Sequence, residues 1–167
     1  MFELKPLSGD AIPLALERAG QYRLLNEPWA AESICLDILA TDASHQEAVR
    51  VLLLARTDQF GDDLSGAVAR AREALSRLTD PYEKAYYAGI ISERRAKAQL
   101  DLRAPGARFI AYEWFRDAMT SYERAEALRP AGNDDAVLRW NTCARLLNDS
   151  PHLEARGEEF AQPALGE

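Results

Sequence analysis

The stretch AMTSYERAEALRP, from Ala118 to Pro130, decides the fold class of this 167-residue chain. Ala118, Tyr122 and Ala125 stand four and then three positions apart, the interval at which side chains line one face of an α-helix, and Pro130 ends the run. Upstream, Phe109, Tyr112, Phe115 and Met119 carry the stripe back to Arg108, just after Ala104-Pro105-Gly106, the strongest internal break in the sequence. A long helix over 108–128 follows.

Working outward, the same periodicity recurs on both sides. Ile12, Ala15, Ala19 and Tyr22 mark a helix over 11–25 that stops at Asn26-Glu27-Pro28. Pro28 suits a first helical turn, and Ala31, Ile34, Cys35, Ile38 and Leu39 carry the next helix to about Thr41. Asp42 or Ser44 caps a third helix over 45–59, with Ala48, Val51, Leu52 and Ala55 on its face and Gly61-Asp62-Asp63 as its break. Val68, Ala71, Ala74, Leu75 and Leu78 define a fourth over 64–78. Asp80 caps a fifth that Pro81 opens and that runs to near Leu102. Past Pro130, Asn133 or Asp134 caps a seventh, to about Leu147, striped by Val137, Trp140 and Ala144. From Pro151 the periodicity ends, and 151–167 reads as a flexible tail after a domain over 1–150. β-branched residues are sparse and never alternate with polar ones over a strand's length, so the reading is all-α with about seven helices.

Composition narrows the function classes. The chain carries 20 Lys+Arg against 27 Asp+Glu, a net charge of −7, which argues against a phosphate backbone as the main ligand. The first ten residues, MFELKPLSGD, lack the basic flank and apolar run of a secretory signal. The longest uncharged apolar stretch, Val51 to Ala55, is far too short to span a bilayer. Cys35 and Cys143 stand alone, as in a reduced, cytoplasmic chain. The expectation is a cytoplasmic protein with no nucleic-acid partner and no membrane insertion.

Helix pairs joined by short breaks call for a test of repetition. Ala31, Cys35, Ile38 and Ala43 stand at the same spacings as Ala118, Tyr122, Ala125 and Pro130, and Ala19 falls twelve positions before Ala31 with Tyr22 beside it. On these residues the chain resembles the tetratricopeptide repeat family, whose unit is a 34-residue helix-turn-helix with small residues at the close approach of its two helices. Three divergent repeats cover about 10–44, 45–80 and 81–130, with 133–148 as a capping helix. In the third, Gly89 takes the small first-helix place but lies 29 positions before Ala118, so both helices of that repeat are lengthened. The resemblance implies a right-handed superhelix of antiparallel helix pairs.

It also implies a function. First helices of the family line a concave groove that takes a partner peptide or helix. By register, Leu16, Gly20, Arg23 and Leu24 would face it from repeat one and Tyr86, Ile90 and Glu93 from repeat three, with Arg50 and Arg56 as candidates from repeat two according to whether Leu53 or Ala55 is its small first-helix residue. Arginine pairs with carboxylates through a planar fork, and tyrosine gives a large contact at small entropic cost. The Lys and Asn set with which some members clamp a C-terminal carboxylate is not found here. The expected role is a non-enzymatic adaptor, scaffold or assembly factor of bacterial type that binds a protein partner of unknown identity. A secretion or assembly chaperone of small, acidic, three-repeat type is one alternative. A self-associating homodimer within a larger complex is another, because Phe109, Tyr112, Trp114 and Phe115 encircle the sixth helix and need cover.

No catalytic residue, metal ligand or cofactor is expected. His45 opens a helix and His152 lies in the tail, neither with a positioned neighbour, and no GxSxG, HExxH or glycine-rich phosphate loop occurs. Asp62-Asp63 and Glu158-Glu159 read as solvated charge in a break and in the tail. Leu153, Phe160 and Leu165 are the side chains through which the tail would fold back into the groove.

Overall fold

The computed structural model describes residues 2–61 and 64–155, which form seven α-helices and no strand. After a single 3-10 turn at Gly9–Ala11 come α1 (Ile12–Leu24), α2 (Pro28–Thr41), α3 (Gln46–Thr57), α4 (Leu64–Ser76), α5 (Pro81–Asp101), α6 (Ala107–Leu128) and α7 (Asp135–Asn148). The boundaries fall within two residues of those the apolar spacing predicts, because local chemistry sets them. Proline opens α2 and α5, and Asp80 Oδ1 accepts the Glu83 N–H at 2.9 Å. Gly106, with φ of +76°, turns the chain into α6 through a left-handed conformation open to glycine at little cost.

Two caps differ from expectation. Asp42 turns its carboxylate to Ser44, accepting both its N–H and its hydroxyl, and His45 caps α3 by accepting the Ala48 N–H on Nδ1 at 3.2 Å. An Asx turn satisfies Asp42 locally before it can reach the helix, so the imidazole takes the cap. At α7, Asp134 makes no side-chain cap bond; Asn133 accepts the Asp135 N–H and, at 3.2 Å, the Tyr82 hydroxyl. The α6–α7 turn is thereby tied to the start of α5. Asp62 and Asp63 lie outside the described residues.

Each helix packs chiefly on its successor, and α1 with α3, and α3 with α5, also touch directly. The buried side chains fall into two clusters. One, from α1 to α4, holds Ala19, Cys35, Ile38, Leu52, Leu53, Val68 and Leu78, with Ile91 of α5. The other, from α5 to α7, holds Ile90, Phe115, Met119, Tyr122, Cys143 and Leu153, and Leu54 and Tyr87 pack against both. Each fully buried Leu, Ile or Phe contributes about 1.5–3 kcal/mol.

The Ala118–Tyr122–Ala125 stripe is wholly buried, and opposite it stands Gly89, where a Cβ would fall within 2.9 Å of Tyr122 Cζ. Only glycine lets α5 carry its backbone so close to that ring. Leu153 is also buried, against the face of α6 and α7 that carries Tyr112, Met119, Trp140 and Leu147. The chain therefore stays packed past Pro151, because a leucine can cover the apolar end of α7 without periodicity around it. Phe160, Leu165 and the Glu158-Glu159 pair lie outside the described residues.

Candidate functional site

The polar side chains of the odd-numbered helices are joined to one another. Arg23, in the last turn of α1, donates from Nε to Asp58 Oδ2 at 2.7 Å, just past the end of α3. Arg94 of α5 reaches the other oxygen of Asp58, and also donates to Thr57 Oγ1 at 2.8 Å. Arg50 of α3 pairs with Glu83 of α5 at 2.7 Å. Arg139 of α7 lies 3.4 Å from Glu93 of α5, which Lys97 holds at 2.5 Å from the next turn. Four helices separated in sequence by their even-numbered partners are thus laced by charge. The partly exposed pairs Arg23–Asp58 and Arg50–Glu83 are worth under about 1 kcal/mol each, so their effect is on register more than on stability.

Glu93 is the most constrained of these groups, with 1% of its surface exposed. Burial alone would push its carboxyl up; hydrogen bonds from Lys97 and from the Tyr122 hydroxyl at 2.7 Å, with the charge of Arg139, reverse this and hold it below the ordinary glutamate range. The same burial and the adjacent carboxylate drive the Tyr122 phenol well above its usual value, so it stays a donor. Burial pushes the thiols of Cys35 and Cys143 up to about 12, which keeps both protonated and unreactive at neutral pH. No group of three His, Cys, Asp or Glu among the described residues is placed to hold a metal ion. No helix of the described residues is long and apolar enough to cross a membrane.

The residues that spacing assigns to a groove divide four ways. Arg23, Arg50 and Glu93 each pair with a charged group on or just beyond another odd-numbered helix, as above. Arg56 is 7% exposed and closed off on the even-numbered side: it donates to Glu32 at 2.9 Å, to the Arg70 carbonyl at 2.7 Å and to Glu73. Ile90 is core, and Tyr86 is ringed by Tyr82, Tyr87 and Tyr122. Leu16 and Gly20 are half-buried, while Leu24 is 89% exposed at the end of α1. Arg56, Ile90 and Glu93 are thus buried against neighbouring helices, which two-helix register cannot show.

The rings of α6 are covered in part within the chain. Phe115 is fully buried, Tyr112 faces Leu153, Phe109 lies beside the α5–α6 turn, and Trp114 stacks under arginines of α4 and α5. Phe109, Tyr112 and Trp114 remain part-exposed. Trp29, at the start of α2, is exposed, as are Leu24 and Leu25 at the end of α1.

A shallow depression of about 310 Å³ opens where α3 ends against α5, lined by Asp58, Phe60, Arg94, Lys97, Asp101 and Leu102. Sequence spacing does not single out Asp58, Glu83, Arg94, Lys97 or Arg139. The partner of each, except the i,i+4 pair of Lys97 with Glu93, lies on another helix, so no local pattern marks them. Comparison of the chain with protein-family models, with curated proteins and with solved structures gives no match.

Proposed function

We propose that the chain is a non-enzymatic, cytoplasmic protein-binding module of the tetratricopeptide kind, which takes a partner peptide or helix along the side formed by α1, α3, α5 and α7. The observation that carries this reading is the lacing of the odd-numbered helices: Arg23–Asp58–Arg94, Arg50–Glu83 and Arg139–Glu93 hold alternate helices in one register. A ligand that touches several helices at once needs that register fixed before it binds, since ordering it afterwards would cost affinity. Gly89 against Tyr122 adds support, being the small-residue approach that the repeat's register places there. The non-enzymatic reading rests on saturation: Glu93 already accepts from Tyr122 and Lys97, and both thiols stay protonated.

Recognition then falls to side chains the ladder leaves open. Leu24 and Leu102 are 89% and 53% exposed, Leu24 next to Arg23 and Leu102 in the α3–α5 depression. Capture from lysate with tagged wild type and with a Leu24→Asp, Leu102→Asp variant tests the reading, with helicity checked by circular dichroism. A protein enriched by the wild type and lost from the folded variant is the expected result. Undiminished capture by the variant would move the binding surface elsewhere.

A further inference from the structure

A second polar arrangement lies apart from the odd-numbered side, where α4, α5 and α6 meet. The guanidinium carbon of Arg95 on α5 sits 3.8 Å from the ring centroid of Trp114 on α6, and that of Arg72 on α4 sits 6.0 Å from the same centroid. Arg23, Arg50, Arg56, Arg94 and Arg139 each hold a carboxylate. Arg72 and Arg95 hold none among the described residues, in a chain with seven more acidic than basic side chains. Arg95 Nε is also the one buried side-chain nitrogen or oxygen without a partner among the described residues. Burial lowers the proton affinity of Arg95, and the only charge adding to that effect is the like charge of Arg72. The face of the indole offsets part of this repulsion but supplies no hydrogen-bond acceptor.

Two cations on separate helices, gathered at one indole ring with no carboxylate paired to either among the described residues, make a receptor with its counter-charge missing. We propose that Arg72, Arg95 and Trp114 form a binding site for an oxyanion, the chemistry shared by phosphate groups and carboxylate side chains. The anion accepts from the terminal nitrogens of both guanidinium groups, because Nε of Arg95 is buried. Contact with Trp114 restrains Arg95 beforehand, so little side-chain entropy is lost on binding. The site is independent of the protein-binding reading above and stands or falls separately.

The test is a titration of the ¹⁵N-labelled full chain, at constant ionic strength in chloride, with inorganic phosphate in one arm and acetate in the other. The indole N–H resonance of Trp114, assigned with Trp114→Phe, is followed with those of Trp29 and Trp140 as internal references. A saturable shift confined to Trp114, with affinity about tenfold weaker in Arg72→Gln/Arg95→Gln, is the expected result. Saturation by phosphate alone assigns a phosphate-bearing ligand, and saturation by acetate as well assigns a carboxylate. No saturable shift in either arm overturns the proposal, as does a response unchanged in the double variant. Should the double variant lose helicity, Arg72→Gln alone decides: its exposed side chain can be shortened without loss of packing, and undiminished binding there overturns the two-arginine site.

Discussion

The two halves of the molecule solve the problem of packing helices in different ways. From α1 to α4 the helices are 12 to 14 residues long, and their shared core is made of Ala, Leu, Ile, Val and Cys side chains with one buried ring, Phe60, and a single buried charge among the described residues. That charge is Arg56, and its partners Glu32 and Glu73 reach it from the two flanking helices. From α5 to α7 the first two helices are 21 and 22 residues long, and a tyrosine and a carboxylate lie at the centre. The long pair meets over small residues, among them Gly89, Ala96, Ala111, Ala118 and Ala125, and Tyr122 fills the space they leave. A phenol so placed needs an acceptor, Glu93 supplies it, and the buried carboxylate then needs Lys97 and Arg139. Through Arg139 the requirement of one ring fixes the position of α7.

The sharpest way to break the contrast is to remove the ring. Tyr122→Ala should destabilise the chain by about 3–5 kcal/mol, as cavity-forming losses of buried aromatics do, and urea unfolding would measure it. A smaller loss would mean that α5 and α6 close over the gap. Next comes the comparison of charges in the two halves. Glu93→Gln should cost about 1–3 kcal/mol, because it keeps the shape but leaves Lys97 and Arg139 without their anion. Arg56→Gln should cost less, since of the two carboxylates it leaves behind Glu73 is half exposed and can turn to water, and Glu32 keeps the hydrogen bond from Gln59. Parallel denaturation curves that reverse this order would show the first half to be the more dependent on its charges.

Acidity separates the halves again. The Glu93 carboxyl titrates below the ordinary glutamate value of about 4.5 in the folded chain, so its contribution is complete above that value and is lost as pH falls through the lower, folded one. Wild type and Glu93→Gln should therefore converge in thermal stability under acid and diverge above pH 5. A gap that persists in acid would place the effect of the substitution in packing and not in charge. Asp80→Ala, which removes the α5 cap, should cost about 1 kcal/mol. Smallest is Arg23→Gln, expected under about 1 kcal/mol and vanishing in high salt, because both partners of the Arg23–Asp58 pair are partly exposed.

Most of the secondary structure was legible residue by residue. Pro28, Asp80-Pro81, Ala104-Pro105-Gly106 and Pro130 act on the backbone within a turn of themselves, so their meaning survives without knowledge of the fold. The caps of α3 and α7 were less so, since Asp42, Ser44 and His45 compete for the same N–H groups and only geometry selects the winner. The candidate site was legible in part. Arg23 and Arg50 stand at conspicuous helical positions, but their partners Asp58 and Glu83 lie more than thirty residues away, and pairing over such separations depends on how the helices cross.

The chain's local chemistry by itself determined an all-helical protein, the limits of its helices, and the buried stripe Ala118–Tyr122–Ala125. Only the tertiary structure decided that Arg56 and Glu93 are interior, that Leu153 is packed, and that Arg72 and Arg95 meet on Trp114. Helix boundaries follow from hydrogen bonds and backbone angles a few residues apart, which a sequence states directly. Burial and charge pairing follow from which third helix covers a given face, and that depends on side chains distributed over the whole chain.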